Sequence, residues 1–492
     1  MPELQGLPIR IADGNVVTAP AALRYLSTYV LLEQEDWFEK ELAFVRSFLQ
    51  PGMHALDIGA NYGVYSVGLG KAVGPTGRVW AFEPTPDTLA FLRHTLASNG
   101  MSQVVIDDCA LSDRAGRGQL SVNTDSEHNS LGHGPAESSQ EVRLDTLDSA
   151  AARHGMQGID FVKLDAEGEE AHIVAGGREF FRIENPLVMF ELKHGRVVNT
   201  ELLASFRAAG YRLFRLVGPS SLLVPVADQA LDSFELNLFA CKESRALELE
   251  RQGLLLTAPP LMAGGEPGAG VACIERQPFG AALRAGRIDS ASTLMQALDA
   301  YALWRQHGLN TARRYGALLW ALERLEAESR IGPSVAVLSL LARVSLDAGS
   351  RTRALQILGV LLNEAGRGGL ETAEPTWPPA PQYDSVAVAS DKGRWLVAAA
   401  AEATISSAAF SGYFSGPSSL DLLDWLHASP YASARMERRR QLQRLQAKRT
   451  QSIESIACLS SVAPDHRNAE FWRCAAAEGT TMPPSLLQSV RA

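Results

Sequence analysis

Three apolar segments, each with the length and composition of a buried strand, end directly before a carboxylate. The residues at these positions are Glu83, Asp165 and Glu191. Ligands of open α/β sheets bind outside the carboxyl ends of the strands, so we expect the three side chains to face one cleft. Such a cleft suits a ligand with cationic or hydroxyl groups, because both kinds of group bind carboxylates.

A glycine-bearing turn follows the first predicted strand, in the pattern Asp57-x-Gly59-x-x-x-Gly63. Glycines let the backbone approach a ligand closely, and the helix that follows begins with free N–H groups. The next strand ends at Glu83, which can accept hydrogen bonds from both hydroxyls of a ribose. A dinucleotide-binding turn has G-x-G-x-x-G instead, and Asp57 would repel a pyrophosphate. The pattern suits S-adenosylmethionine (SAM), whose sulfonium and ammonium groups are cationic, and an ordinary strand-to-helix turn is the alternative.

Four segments occur in an order that is typical of one enzyme family. They are LDIGANYGVYS (Leu56–Ser66), FEP (Phe82–Pro84), ALSD followed by a glycine (Ala110–Asp113, Gly116) and FVKLDAEGEE (Phe161–Glu170). In these segments the chain resembles the FkbM-type SAM-dependent methyltransferases, over about residues 30 to 243. The resemblance implies an α/β fold with a doubly wound, Rossmann-like class I methyltransferase sheet, and the later sequence indicates an all-α helical domain after it.

The resemblance also assigns residues to the cofactor. It implies that Asp108, at the tip of the third strand, lies by the adenine, and that Ser130, in an N-S-L-like element, contacts the cofactor or the substrate. It further implies that the region around Glu35 and Trp37 lies over the cofactor; packing of a helix with an acidic start is the alternative. The predicted SAM-binding residues are Asp57, Gly59, Asn61, Gly63, Glu83, Asp108, Ser130 and Asp165.

Methyl transfer to a hydroxyl requires positioning of two reactants and is helped by a base. We predict Asp165, Glu191 and His194 as catalytic residues, since all three follow strand tips. His194 has the ordinary pKa closest to neutral pH. Lys163 lies on the same side of an extended segment as Asp165 and could hold it. Alternatively, Asp165 and Glu191 could bind Mg²⁺ through their oxygens, and the sequence leaves these possibilities open.

Composition limits the classes of function. The chain has 492 residues, 46% of them hydrophobic, and a formal net charge of -9, which argues against broad binding of nucleic acid. Its 5 cysteines are scattered without a C-x-x-C pair, which indicates neither a zinc site nor a disulfide framework. No signal peptide or membrane-spanning apolar run is evident, so we expect a cytoplasmic protein without an integral membrane segment.

Changes in composition predict five parts. They are a methyltransferase domain at 1–245, a linker at 246–290, a tetratricopeptide-like helical module at 291–365, a Pro-rich linker at 366–385 and a C-terminal helical region at 386–492. The basic stretch Arg435–Arg449 is predicted as a solvated helix. Contact of this helix with an anionic glycan, a lipid head group or a partner protein is the less favoured interpretation.

Together these features predict a SAM-dependent O-methyltransferase. Family analogy suggests a sugar hydroxyl of a surface glycan or a secondary metabolite as the acceptor. The helical regions suggest a large acceptor or a protein partner in glycan assembly. One alternative is a non-catalytic helical adaptor with a degenerate methyltransferase-like half. Another, a nicotinamide-dependent dehydrogenase, is disfavoured by the missing middle glycine of the turn.

Overall fold

The computed structural model describes residues 6–122, 130–131, 138–194, 197–218, 222–226, 231–283, 291–388, 391–447, 461–463, 466 and 469–477. The strands in these ranges are β1 Gly6–Arg10, β2 Val16–Pro20, β3 His54–Ile58, β4 Arg78–Phe82, β5 Val104–Asp107, β6 Ala110–Ser112, β7 Gly116–Val122, β8 Ser130–Leu131, β9 Ser138–Thr146, β10 Ile159–Leu164, β11 Leu187–Glu191, β12 Lys193–His194, β13 Val197–Val198, β14 Arg212–Val217, β15 Leu222–Pro225 and β16 Asn237–Cys241.

Helices surround these strands and make up the later part of the chain. They are α1 Leu26–Gln34, α2 Lys40–Phe48, α3 Val64–Val73, α4 Pro86–Ser98, α5 Leu147–His154, α6 Glu170–Gly176, α7 Arg178–Ile183, α8 Thr200–Ala208, α9 Glu243–Arg251, α10 Ala269–Glu275, α11 Thr293–Trp304, α12 Thr311–Glu328, α13 Val335–Asp347, α14 Arg351–Gly368, α15 Lys392–Ala408, α16 Gly412–Ser415, α17 Leu420–His427, α18 Ala434–Gln446 and α19 Ala469–Ala476.

A twisted eight-stranded sheet forms the centre of the α/β part, which extends from β1 to β16. Its strand order is β15-β14-β16-β11-β10-β3-β4-β5. The neighbours β11, β10, β3, β4 and β5 are parallel, whereas β16 is antiparallel to both β11 and β14. This is the doubly wound, Rossmann-like sheet predicted from the sequence.

Alternating side chains bury both faces of the parallel strands. Ala55 and Val79 belong to a core shared with the helices α2, α3 and α4. Leu56 and Trp80, one residue further along β3 and β4, belong to the opposite core with α5 to α8. This two-residue period, with apolar side chains on both faces, is the signature of a sheet covered by helices on each side.

A four-stranded sheet with the order β6-β9-β7-β8 extends beyond the tips of the central strands. Strands β7 and β9 extend into both ends of the polar segment from Ser121 to Ser139 and pair antiparallel. Residues 123–129 and 132–137 lie outside the described residues.

The helical part, from α9 onwards, packs against the edge of the central sheet. Val217 and Leu222 of the edge strands share its core with buried aromatic residues such as Trp377 and Trp395. The segment predicted as a linker at 246–290 contains the end of α9 and the whole of α10; the five domain boundaries stay a prediction. No helix in the described ranges is long and apolar enough to cross a bilayer.

The basic stretch near the C-terminus is buried, so its prediction as a solvated helix is wrong. Arg439 of α18 has 0% exposure and its Nη1 lies 3.8 Å from Oε1 of the equally buried Glu33 in α1. Arg438 donates from Nε to the Glu33 carbonyl at 2.9 Å, and Arg435 donates to Gln34 at 3.0 Å. We call Glu33, Glu35, Arg435, Arg438 and Arg439 the junction cluster. It joins the two parts of the molecule.

Candidate active site

The glycine turn after β3 has the backbone conformation that its sequence requires. Gly59, Asn61 and Gly63 have φ values of 80°, 48° and 91°, in the left-handed region that glycine and asparagine tolerate best. A Cβ atom on Gly59 would lie 1.8 Å from the carbonyl oxygen of Asp165. Glycine at this position therefore lets the turn pack directly on the tip of β10.

Glu83 is fixed at the tip of β4 by two backbone donors. Its Oε2 accepts from the N–H of Asn61 at 3.0 Å, and its Oε1 accepts from the N–H of Thr85 at 2.9 Å. The side chain is 6% exposed, and burial raises the pKa of this carboxyl above its ordinary value. Each carboxylate oxygen keeps a second lone pair, so Glu83 can still accept from a ligand hydroxyl.

A cavity opens at the carboxyl ends of β3, β4 and β10, and we call it the strand-tip cavity. It comprises about 660 Å³ of empty space, part of which is open to solvent. Its lining residues are Ile58, Gly59, Asn61, Phe82, Glu83, Pro84, Thr85, Cys109, Ala110, Leu111, Leu120, Asp165, Ala166, Glu167 and Glu169. Polar groups from the strand tips thus face an apolar wall that includes Phe82, Leu111 and Leu120.

Lys163 lies behind this cavity among carboxylates. Its Nζ is 3.2 Å from Asp165, 3.7 Å from Asp57 and 2.9 Å from the carbonyl oxygen of Gly59, to which it donates. Burial lowers the pKa of Lys163, but the charges of Asp165, Asp57 and Glu39 more than compensate and raise it above the ordinary value. Lys163 therefore stays charged and fixes the turn relative to β10.

Asp57 supports the site from beneath rather than lining it. The residue is fully buried, and its Oδ2 accepts from the Ser66 hydroxyl at 2.6 Å. Burial raises the pKa of Asp57, while the neighbouring Lys163 opposes that change. The sequence predicted direct contact of Asp57 with a cationic ligand, but Asp57 is not among the residues that line the strand-tip cavity.

A second network connects the site to the start of α2. Glu39 accepts from the Tyr65 hydroxyl at 2.7 Å, from Trp37 Nε1 at 2.9 Å and from Asn237 Nδ2 at 2.7 Å. Lys163 Nζ in turn lies 5.1 Å from the centroid of the Tyr65 ring. We call Glu39, Asp57, Lys163 and Asp165 the strand-tip cluster. Sequence reasoning did not select Glu39, whose only signal was its place two residues after Trp37.

Three carboxylates meet on the side of Asp165 that faces β11. One oxygen each from Asp165, Glu170 and Glu191 lies within 4.8 Å of the other two. Glu170 also accepts from the backbone N–H groups of Ala166 and Gly168, at 2.9 and 3.1 Å. Burial, and then the charges of Asp165 and other carboxylates, raise the pKa of Glu191 to about 10. This crowding is compatible with either a shared proton or a divalent cation between Asp165 and Glu191.

Asp108 does not line the strand-tip cavity. Its side chain is 60% exposed and lies 3.1 Å from Arg143 Nη2. The preceding Asp107 is buried instead and is bonded by His154 Nε2 at 2.7 Å and by Arg153. Burial opposes its ionisation, yet these partners lower the pKa of Asp107. An adenine contact by Asp108 stays a prediction, and the residues at the cavity wall here are Cys109, Ala110 and Leu111.

The predicted site residues therefore divide into groups. Four of them line the strand-tip cavity: Gly59, Asn61, Glu83 and Asp165. Asp57 lies beneath that cavity, Gly63 precedes α3 as its N-cap, and Glu191 lies beside Asp165. The side chains of Ser130 and His194 lie outside the described residues, although their backbones belong to β8 and β12. Glu35 binds the N–H of Ser461 in the C-terminal region rather than lining the cavity.

Comparison with known protein families identifies the domain that contains the strand-tip cavity. Residues 57–213 match the family model described as the methyltransferase FkbM domain. This part of the chain is an FkbM methyltransferase domain. The matched range includes the glycine turn, Glu83, Lys163 and the Asp165–Glu191 group. No curated protein matches the chain significantly.

Solved structures similar to the FkbM domain include methyltransferases from several bacteria. The FkbM methyltransferase of Methylobacillus flagellatus KT is 20% identical, with a TM-score of 0.27, over 38% of this chain and 43% of that protein. A SAM-dependent O-methyltransferase of Thermotoga maritima is 16% identical, with a TM-score of 0.23, over 41% of this chain and 64% of that one. A SAM-dependent methyltransferase of Aquifex aeolicus is 15% identical, with a TM-score of 0.24, over 42% of this chain and 95% of that one.

The chain thus spans less than half of the M. flagellatus protein. The fold assignment rests on the strand order of the central sheet and on the family match. The strand order gives the class I methyltransferase fold, and the family match identifies residues 57–213 as an FkbM methyltransferase domain, a class of enzyme whose cofactor is SAM. The residues present fit this cofactor: Glu83 offers acceptors for a ribose, and α3 begins at Val64 with Gly63 as an N-cap that supplies no side-chain hydrogen bond.

Proposed function

We propose that this protein is a SAM-dependent O-methyltransferase that methylates a hydroxyl of a sugar, within a surface glycan or a secondary metabolite. The observation that carries the proposal is the position of Glu83 and Asp165 on one cavity, with the carboxylate group of Asp165, Glu170 and Glu191 beside it. In this arrangement Glu83 can accept hydrogen bonds from the cofactor, and the carboxylates beside it can accept the proton of an alcohol.

In this proposal Glu83 accepts hydrogen bonds from the ribose hydroxyls, and the wall formed by Phe82, Leu111 and Leu120 encloses the adenine. Bound SAM supplies a methyl carbon that is electrophilic because it is attached to a sulfonium. Asp165, whose side chain is 33% exposed and paired with Lys163, faces the positive end of the cofactor. Lys163 keeps Asp165 in place and thereby orients the reactants.

With SAM bound, the acceptor oxygen would form a bond to the methyl carbon as the carbon–sulfur bond breaks and S-adenosylhomocysteine leaves, and the hydroxyl proton would pass to a base. Asp165 and Glu191 are the carboxylates nearest to that step. The raised pKa of Glu191 means that it carries a proton at neutral pH, which favours Asp165 as the acceptor of the hydroxyl proton. A divalent cation between the two would neutralise their repulsion and is the alternative arrangement. His194 stays a third candidate.

Transfer of tritium from labelled SAM to purified surface glycans and simple methyl glycosides tests the proposal. We expect Asp165→Asn to lower the transfer rate by about a hundredfold or more, since a positioned base contributes about that much. Asp421→Asn, on the exposed face of α17, serves as the matched control and should transfer at the wild-type rate.

Calorimetric titration with SAM separates this function from the non-catalytic adaptor. We expect saturable binding at one site per chain. Absence of SAM binding by the wild-type protein would contradict the proposal and favour the adaptor. SAM could instead bind while the methyl group is transferred to a nitrogen or carbon acceptor and to no sugar. That result would contradict the O-methylation of sugars but not the methyltransferase activity.

A further inference from the structure

A second cavity lies where the α/β part meets the helical part, and we call it the seam cavity. It comprises about 810 Å³ of empty space, part of which is open to solvent. The α/β part contributes residues from the start of α2 and from the segment before β16, including Phe38, Glu41 and Glu235. The helical part contributes the start of α14 and the segment that follows α15, including Arg351 and Phe410.

Two carboxylates of the seam cavity are buried without a side-chain partner. Glu41 is 5% exposed and Glu235 is 6% exposed. Among the residues that the structure describes, no other side chain makes a hydrogen bond or an ion pair with either of them. Burial raises the pKa of Glu41 to about 7 and also raises that of Glu235. Neither carboxylate is engaged by a side-chain donor in the described residues, so both can accept hydrogen bonds from the hydroxyls of a ligand in the cavity.

An aromatic wall faces the same space. The ring centroids of Phe38 and Phe410 are 5.6 Å apart, and those of Phe234 and Phe410 are 6.4 Å apart. The guanidinium of Arg351 lies 4.3 Å from the Phe234 centroid and 4.2 Å from the Phe410 centroid. Arg351 also donates from Nε to the carbonyl oxygen of Ser407 at 2.5 Å, which holds this wall to the end of α15.

Apolar ring surface together with carboxylate acceptors matches the two-sided chemistry of a sugar ring. The C–H groups of a sugar pack on aromatic carbons, while its hydroxyls donate to carboxylates. An anionic ligand would meet the charges of Glu41 and Glu235, which disfavour it. A cationic amine is the competing ligand, since carboxylates and aromatic rings also bind ammonium groups.

The seam cavity is connected to the strand-tip cluster through one shared residue. Glu39 lines the seam cavity, and its carboxylate also accepts from the Tyr65 hydroxyl. The Tyr65 ring packs against Lys163, which pairs with Asp165. A chain of three side chains, Glu39, Tyr65 and Lys163, thus links the seam cavity to the candidate base Asp165.

We propose that the seam cavity is an acceptor subsite that binds a neutral sugar ring, so that the helical part takes a direct role in acceptor binding. The inference rests on the proposed function, and it assigns the sugar to named residues from both parts of the chain. It also gives the helical part a role in choosing the acceptor rather than in transferring the methyl group.

Saturation-transfer difference NMR of the full-length protein tests the subsite. The probes are methyl α-L-rhamnopyranoside and methyl α-D-mannopyranoside as neutral sugars, and methyl α-D-glucosaminide as the amine. We expect signals from a neutral glycoside with the wild type, and about tenfold weaker binding for Phe410→Ala. Glu235→Gln, which keeps the size of the side chain and so preserves the fold, should weaken binding in the same direction.

Matched controls are Trp425→Ala and Glu201→Gln, whose side chains are exposed and outside the seam cavity. They should bind the glycosides as the wild type does, and all variants should bind SAM with unchanged affinity. The proposal is overturned if no neutral glycoside binds the wild type, if only the amine binds, or if Phe410→Ala and Glu235→Gln bind as tightly as the controls.

The failure of this inference is distinguishable from the failure of the proposed function. Wild-type rates of sugar methylation in both seam variants would refute the subsite and leave the O-methyltransferase intact. Glycoside binding that is lost in both seam variants, without any methyl transfer by the wild type, would support the sugar site and refute the proposed reaction.

Discussion

The strand-tip cluster and the junction cluster are both buried groups of charges, but their excess charge has opposite sign. In the strand-tip cluster, Lys163 is surrounded by the carboxylates of Asp57, Asp165 and Glu39. In the junction cluster, Glu33 is surrounded by the guanidinium groups of Arg435, Arg438 and Arg439. Both depart from the usual exposure of charged side chains at a protein surface.

The two clusters also differ in what lies next to them. The junction cluster is enclosed: Glu33 accepts from the N–H of Gly412 at 2.6 Å, and Arg438 donates to the carbonyl group of Glu33. The strand-tip cluster instead borders a cavity, into which Asp165 is partly exposed. Excess charge that is enclosed by protein serves to join segments. Excess charge that borders a cavity can interact with a ligand. The excess charge of the strand-tip cluster is negative, so it favours a cationic ligand.

The largest effect should come from breaking the junction cluster. Glu33→Ala removes the buried carboxylate and leaves Arg439 in the interior without its ion pair, so the free energy of unfolding should fall by about 3–5 kcal/mol. Chemical denaturation checks this value, with the exposed Glu201→Ala as control. A loss below about 1 kcal/mol would mean that the junction is not closed in solution.

The second-largest effect is expected in the strand-tip cavity, at Glu83. Glu83→Gln replaces one acceptor with a donor that faces the N–H groups of Asn61 and Thr85. We expect about 10- to 100-fold weaker binding of SAM, because a charged hydrogen bond contributes about 1.5–3 kcal/mol. Calorimetry checks this, and Glu141→Gln, on the exposed β9, is the control. Equal affinity for both variants would remove Glu83 from the cofactor site.

A pH series tests whether Glu191, beside the strand-tip cluster, holds a proton in the folded protein. The pKa of Glu191 is raised from 4.5 to about 10, so the folded state keeps a proton that the unfolded chain loses above pH 4.5. Stability should therefore fall between these two pH values, by at most about 1.4 kcal/mol per pH unit from this group.

Glu191→Gln cannot lose a proton, so its stability relative to the wild type should rise steadily from pH 5 to pH 9. Unfolding midpoints of both proteins, measured in the presence of a chelator, check the sign of this difference. A constant difference across the range would contradict the raised pKa. A difference that disappears when Mg²⁺ replaces the chelator would instead identify a cation between Asp165 and Glu191.

The sequence predicted those features that depend on neighbours along the chain. Glycines at Gly59 and Gly63 need the left-handed backbone that the turn has, and the apolar runs before Glu83 and Asp165 are strands of the central sheet. Strand ends of a parallel sheet meet at one edge, so their convergence on the strand-tip cavity also followed from sequence.

Features that depend on distant partners were missed. Arg439 is buried only because Glu33, more than 400 positions earlier, lies opposite to it, and a helix rich in arginine gives no sign of such a partner. Glu39 joins the strand-tip cluster through Tyr65 and Asn237, which come from α3 and β16. Patterns along the sequence report which face of an element is apolar, but not which charged group on another element will meet it.

The smallest expected effect concerns Asp108, which carries charge near the cavity but outside both clusters. Its side chain is exposed and paired with Arg143, so water already solvates it. Asp108→Asn should therefore change the affinity for SAM by less than about threefold, that is by about 0.6 kcal/mol or less. Calorimetry alongside Glu83→Gln checks this. A tenfold loss would instead mean that Asp108 leaves Arg143 to accept a hydrogen bond from the adenine amine, and that the strand-tip cavity closes around its ligand.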